Sequence, residues 1–248
     1  MRYFFLVVLI HTIHLFTHQS SLAQTIVKGE RSGIRQEVRI DEHTRLFDKT
    51  SGKQISYQEY RALIKDDPFG YHLEPIIDEY GQASAYKIRP TTAEERETHS
   101  FKDFESGPKP KIGEPVPEFI MKGIDDKVYR STALKGNVIV LSFWISLSKP
   151  FWGPNHAKLF ADALHPYQSE TGLISLGILQ ESKEAIVNVM ATETLPFIPV
   201  PNSYGFNRKF QITTGPSFMV IDRSGNLAAL VEGSEYDELR KALQTVSR

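Results

Sequence analysis

Eight histidines, 30 aspartates and glutamates, and no cysteine bound the chemistry that this 248-residue chain can do. Without cysteine there is no disulfide, no thiolate nucleophile, no cysteine zinc site and no lipid anchor on an N-terminal cysteine. His43, His72 and His99 stand at irregular spacing, so no metal site is expected. Asp125 and Asp126 fall in the run Gly123-Ile124-Asp125-Asp126-Lys127, where paired carboxylates form turns more readily than they hold an ion. No G-x-S-x-G elbow is present. Lys and Arg number 29, for a net charge of -1, so the chain lacks the basic excess that binding nucleic acid requires. No cofactor-binding fingerprint stands out.

Residues 1–23 read as a signal peptide rather than as structure. Arg2 gives a positive start, 4–10 is an uninterrupted apolar run, and Ser21-Leu22-Ala23 offers small residues for cleavage before Gln24. His11, His14 and His18 interrupt the stretch before it reaches the ~20 apolar residues of a membrane span. The expectation is an exported protein, periplasmic or extracellular, with no membrane span after cleavage.

A shift in composition at 100–111, with Gly107, Pro108, Pro110 and little apolar content, reads as a linker. It divides a small α+β N-terminal domain (24–99) from a more regular region (112–248). In the first, Val38 and Ile40 alternate onto one face of a strand, and 48–52 is a turn. Ser56 and Glu59 form a capping box opening a helix with Tyr60, Leu63 and Ile64 inward. Segments 73–77 and 83–88 read as strands about Gly81. In the second region, 138–141 is a continuous apolar run suited to a strand buried on both faces. A helix is expected over 154–167 with Leu159, Phe160 and Leu164 inward, a strand over 173–179, and a helix over 182–192 with Ile186, Val189 and Met190 inward. A hairpin follows, 218–221 with 227–231, and then a helix capped by Ser234 and bearing Leu239, Leu243 and Val246. The run 196–201, with three prolines, reads as a rigid connection. The order predicts an α/β fold with a mixed central sheet and helices on both faces.

Three ordered segments carry a resemblance. They are 112–119 (IGEPVPEF), Leu134-Lys135-Gly136-Asn137 running into the strand that ends at Phe143-Trp144, and Gly215-Pro216-Ser217-Phe218 followed by Ile221-Asp222 and Gly225. Together they resemble TlpA/ResA-type thioredoxin-like proteins of the alkyl hydroperoxide reductase/thiol-specific antioxidant (redoxin) superfamily, over about 111–248. The resemblance implies a thioredoxin-like fold, a bacterial envelope setting and a cis peptide bond before Pro216. It also places the family's W-C-x-x-C chemistry directly after Trp144, where this chain has Ser148 and Phe151 at the two cysteine positions and Pro150 between them. Thiol–disulfide exchange needs a thiolate to attack and a second thiol to resolve, and a serine hydroxyl and a phenyl ring supply neither. The implied protein is a degenerate, redox-inactive oxidoreductase with no catalytic residue at this loop. Ser148 as a nucleophile would need a base; His156 is the nearest histidine, and Ser148 reads instead as a polar residue near a helix start.

The candidate binding residues are Trp144, Ser148, Lys149, Pro150, Phe151, Trp152, Gly215 and Pro216. Trp144 is expected in the core. Phe151 and Trp152 carry two readings, a contact surface or a filling of the space left by the disulfide against Pro216. The leading functional reading is non-covalent binding of a polypeptide partner in the envelope or extracellular space, with backbone beside Pro216 able to pair with an extended segment. The alternatives are a small thiol or anion held at the helix N-terminus with the Ser148 hydroxyl as donor, and a purely structural module.

Overall fold

The computed structural model describes residues 26–28, 37–101, 109–168 and 172–247. The expected signal peptide, its expected cleavage site and the middle of the expected linker lie outside the described residues.

Strands β1 (Ile26–Lys28) and β2 (Glu37–Arg39) pair antiparallel. An N-terminal unit follows, with β3 (Leu46–Asp48), β4 (Gln54–Ile55), helix α1 (Tyr57–Leu63), β5 (Tyr71–Ile77), β6 (Ala83–Pro90) and α2 (Ala93–Thr98). Its sheet runs β4-β3-β6-β5, with β3 and β6 parallel and the other pairs antiparallel. The capping box of α1 forms as expected, Ser56 Oγ accepting from Glu59 N–H and the Glu59 carboxylate from Ser56 N–H. Tyr60 and Ile64 are buried, but Leu63 faces solvent. At 100° per residue, Leu63 and Ile64 cannot both face a narrow contact, and the sheet takes the side of Tyr60 and Ile64. Helix α2 was not foreseen, although Thr92 and Glu95 form a second capping box. Arg89 bonds both Glu74 and Glu95, and Lys49 completes the group on Glu74.

The second region begins with the hairpin β7 (Ile120–Lys122) and β8 (Val128–Arg130) and a 3-10 turn at Ser131–Leu134. Then come β9 (Ile139–Phe143), α3 (Pro154–Gln168), β10 (Ile174–Ile178), α4 (Lys183–Met190), β11 (Ile198–Val200), α5 (Gly205–Lys209), β12 (Ser217–Ile221), β13 (Leu227–Glu232) and α6 (Tyr236–Val246). The sheet order is β11-β10-β9-β12-β13. Strands β11, β10 and β9 are parallel, while β12 runs antiparallel to both β9 and β13. A parallel strand–helix–strand half joined through its first strand to an antiparallel hairpin and closing helix is the thioredoxin-like topology.

The central strands are mostly apolar because both their faces are covered, and they also bury Ser142, Ser175 and Ser217. Val140, Phe218 and Val220 pack with Phe160, Ile186, Leu239 and Leu243 from α3, α4 and α6. Their neighbours Ile139, Leu141, Met219 and Ile221 turn to the other face, with Phe119, Phe206 and Phe210.

Several sequence expectations need correction. The proline run holds an edge strand rather than a mere connection. Pro199 is tolerated there because its carbonyl points outward, accepting from Ile124 N–H at 2.8 Å, so the missing N–H lies on the side away from β10. Leu159 and Met190 lie on the outer sides of their helices. Ser234 does not cap α6; after Gly233 (φ +76°) it sits in the turn, and Glu235 is the N-cap with no side-chain bond.

Candidate functional site

The chain leaves β9 at Phe143, which lies opposite Ser217, the first residue of β12. Residues 144–153 and 210–216 therefore emerge at the same end of the sheet. Gly215 touches the loop directly, since a Cβ there would stand 2.6 Å from Ile145 Cγ1. The Gly215–Pro216 bond is cis as the resemblance implied, and Lys149–Pro150 is cis as well.

Trp144 is buried and stacks edge-on against Trp152, Phe160 and Phe218, with Phe197 alongside. Trp152 is also buried, at 2% exposure, so its reading as contact surface is corrected. Its indole N–H donates to Glu193 Oε2 at 2.9 Å, and that of Trp144 to Ser142 Oγ at 2.9 Å. Both rings thus bury their area without stranding a donor. Phe151 takes the other course. It is 44% exposed and does not plug the loop. Ser148, Lys149 and Pro150 are exposed beside it.

Ser148 is not at the start of a helix. Its carbonyl accepts from Phe151 N–H at 2.9 Å and Trp152 N–H at 3.0 Å, which closes a turn, and α3 begins only at Pro154. The Ser148 hydroxyl joins a chain that sequence reasoning missed. Ser146 Oγ–H donates to Glu181 Oε1 at 2.8 Å, and Leu147 N–H donates to the same oxygen at 2.8 Å. Ser146 has one proton and it is spent on the carboxylate, so in the 2.9 Å contact between the two serines Ser148 is the donor. The second oxygen of Glu181 is buried and has no hydrogen-bond partner among the described residues, which leaves the loop contacts to compensate the carboxylate. Ser148 consequently shows the outside its lone pairs and not its proton.

Among the described residues no histidine is bonded to Ser148. His156 Nδ1 shares a 2.9 Å hydrogen bond with the Tyr236 hydroxyl, across from α6. Burial pushes the Tyr236 hydroxyl above its ordinary range, which keeps it protonated. Among the described residues no group of three metal-ligating side chains comes together. His72 stacks on Phe101 and His99 meets the edge of Phe69. Asp125 accepts from the Tyr129 hydroxyl, whose pKa is pushed up to about 12 by burial and by that carboxylate. Asp126 pairs with Lys183 and Lys122, which hold its carboxyl below the usual range.

The residues missed by the sequence reading are Ser146, Glu181 and Glu193. Glu181 directly precedes Ser182, the N-cap of α4, and Glu193 lies just beyond the end of that helix. One short helix therefore carries at its two ends the carboxylates that grip the loop at 146–147 and at 152.

No protein-family model and no curated protein matches the sequence. Solved structures are similar to part of it. A Chlorobium tepidum protein described as a thiol:disulfide interchange protein, DsbE, is 17% identical, with 56% of this chain aligned to 100% of that one at a TM-score of 0.49. A peroxiredoxin-like protein from Aquifex aeolicus is 18% identical over 56% of this chain and 90% of its own, at 0.47. The exposed lipoprotein thioredoxin Etrx1 of Streptococcus pneumoniae is 18% identical over 52% and 99%, at 0.43. The fold assignment itself rests on the strand order and registers given above.

Proposed function

We propose that this chain is an exported, thioredoxin-fold binding protein that holds a polypeptide non-covalently on the face made by Ser148, Lys149, Pro150, Phe151, Gly215 and Pro216. The observation that carries this reading is the exposure of Phe151 on a turn that is pinned from both sides, by Glu181 at Ser146 and Leu147 and by Glu193 at Trp152. An exposed aromatic on a rigid turn is a contact residue with little ordering entropy left to lose. With no cysteine in the chain, whatever binds there is not attacked by a thiolate. Export is supported by the layout of residues 1–23, and N-terminal sequencing of the protein recovered from a secreting host checks it, with Gln24 expected first.

The small-thiol alternative loses its premise on two counts. Ser148 lies ahead of the turn rather than at the start of α3, and its hydroxyl proton is already engaged by Ser146.

The test is capture from the exported fraction with free thiols alkylated, by the wild type and by Phe151→Ala and Lys149→Ala. Partners retained by the wild type and lost by Phe151→Ala support the face. The same partners captured equally by all three proteins would remove it.

A further inference from the structure

Where the N-terminal unit meets the thioredoxin-like unit, the closest approach is of backbone to backbone. The tip of the β5–β6 hairpin, residues 78–82, is held in shape by Asp78, whose carboxylate accepts from Tyr80 N–H and Gln82 N–H, both at 2.9 Å. At this tip the Glu79 carbonyl accepts from Ile120 N–H at 2.7 Å, which joins the tip to the start of β7. Gly81 (φ +73°) lies over the ring of Phe206, where a Cβ would come within 2.7 Å of Cε2. Gly205, the first residue of α5, lies against the Gly81 carbonyl, and a Cβ on Gly205 would fall 1.8 Å from that oxygen. Gly205 thus lets two main chains come to a separation that no other residue allows, and Gly81 leaves room for the Phe206 ring.

The ring under Gly81 belongs to the main core. Phe206 is 1% exposed and packs with Phe210, Phe143 and Met219 beneath the central sheet. At the end of α5, burial lowers the affinity of Lys209 for its proton, while Asp78 and Glu79 from the tip and Glu118 from the second unit act to restore it. Apolar packing, a backbone hydrogen bond and charge all cross the same seam.

We infer that the β5–β6 tip is a permanent lid on the α5 side of the thioredoxin-like core, so that the two units fold and unfold as one body and the N-terminal unit is no swinging arm. Because α5 runs through buried Phe210 and Ile212 into Gly215–Pro216, the lid also anchors the segment forming one wall of the candidate face. The inference stands independently of what that face binds.

The test uses the full chain in a denaturant series. Both tryptophans, Trp144 and Trp152, lie in the thioredoxin-like unit, so their fluorescence reports that unit alone. Hydrogen exchange followed by mass spectrometry on β5 and β6 peptides reports the other. One shared midpoint is expected for the wild type. Gly205→Ala is expected to lower both midpoints, although alanine in place of glycine ordinarily favours a helix. Loss of protection in β5 and β6 at a lower denaturant concentration than the fluorescence change would overturn the inference. So would a Gly205→Ala midpoint equal to or above that of the wild type. The wild-type comparison decides the matter by itself if the variant yields no folded protein.

Discussion

Glu193 and Glu181 act on the loop by different means, and substitution separates them. Glu193→Ala leaves the Trp152 indole N–H buried without an acceptor, which costs about 1–3 kcal/mol. Pairing it with Trp152→Phe removes the stranded donor as well. In denaturant unfolding the double variant is therefore expected to lose less than the sum of the two single changes. Glu181→Ala releases Ser146 and Leu147 together, and the expected sign is faster amide exchange across 146–151 with little change in the sheet. Phe151→Ala, on an exposed ring, is expected to change stability by less than about 0.5 kcal/mol, so any lost binding would not reflect unfolding. At this scale the sequence was only partly legible. Ser148, Phe151 and Pro216 could be found because the resemblance gave their places in order. Glu181 and Glu193 could not, because their bonds span 34 to 41 residues and obey no local spacing.

Among the elements, legibility followed length and burial. Strands β9 and β12 read clearly from the apolar runs 138–141 and 218–221 that they contain, since each is covered on both faces. Helix α5 and strand β11 are too short for a periodicity to show, and the prolines around β11 hid it further. Helix α2 was legible in principle through Thr92 and Glu95, and its anchoring makes a pH prediction. The bonds from Arg89 lead the causes that hold the Glu95 carboxyl down to about 2, against burial that opposes them. Unfolded, the same group takes up its proton near 4.5. Its contribution is complete above that pH and is lost as the pH falls through about 2. Acid titration is thus expected to lower the unfolding midpoint progressively between pH 4.5 and 2, and Glu95→Gln to flatten that dependence. An unchanged slope in Glu95→Gln would assign the acid sensitivity to other groups.

At the scale of the whole molecule, a thioredoxin-like sheet carries a loop whose turn is closed by Phe151 N–H to the Ser148 carbonyl. Such an i to i+3 bond sets the two Cα atoms within about 7 Å, at the edge of the range a disulfide spans. The variant Ser148→Cys/Phe151→Cys is accordingly expected to close an intraloop bridge on oxidation and to gain measurable insulin reduction. A folded variant whose two thiols stay free under oxidant would show that the loop has moved away from an exchange geometry. The overall α/β order was legible because strand, helix and turn signals agreed along 138–246. The seam at Gly81 and Gly205 was not, because a close approach of two backbones leaves only isolated glycines as its trace.

The most direct measurement is the affinity of a polypeptide captured from the exported fraction, purified with its thiols alkylated, for three full-length proteins: wild type, Phe151→Ala, and Val128→Ala as an exposed apolar control on β8. Binding without covalent exchange through this face predicts that the wild type and Val128→Ala bind alike and that Phe151→Ala binds about tenfold or more weaker, roughly 1.4 kcal/mol. Equal affinities for wild type and Phe151→Ala would contradict it.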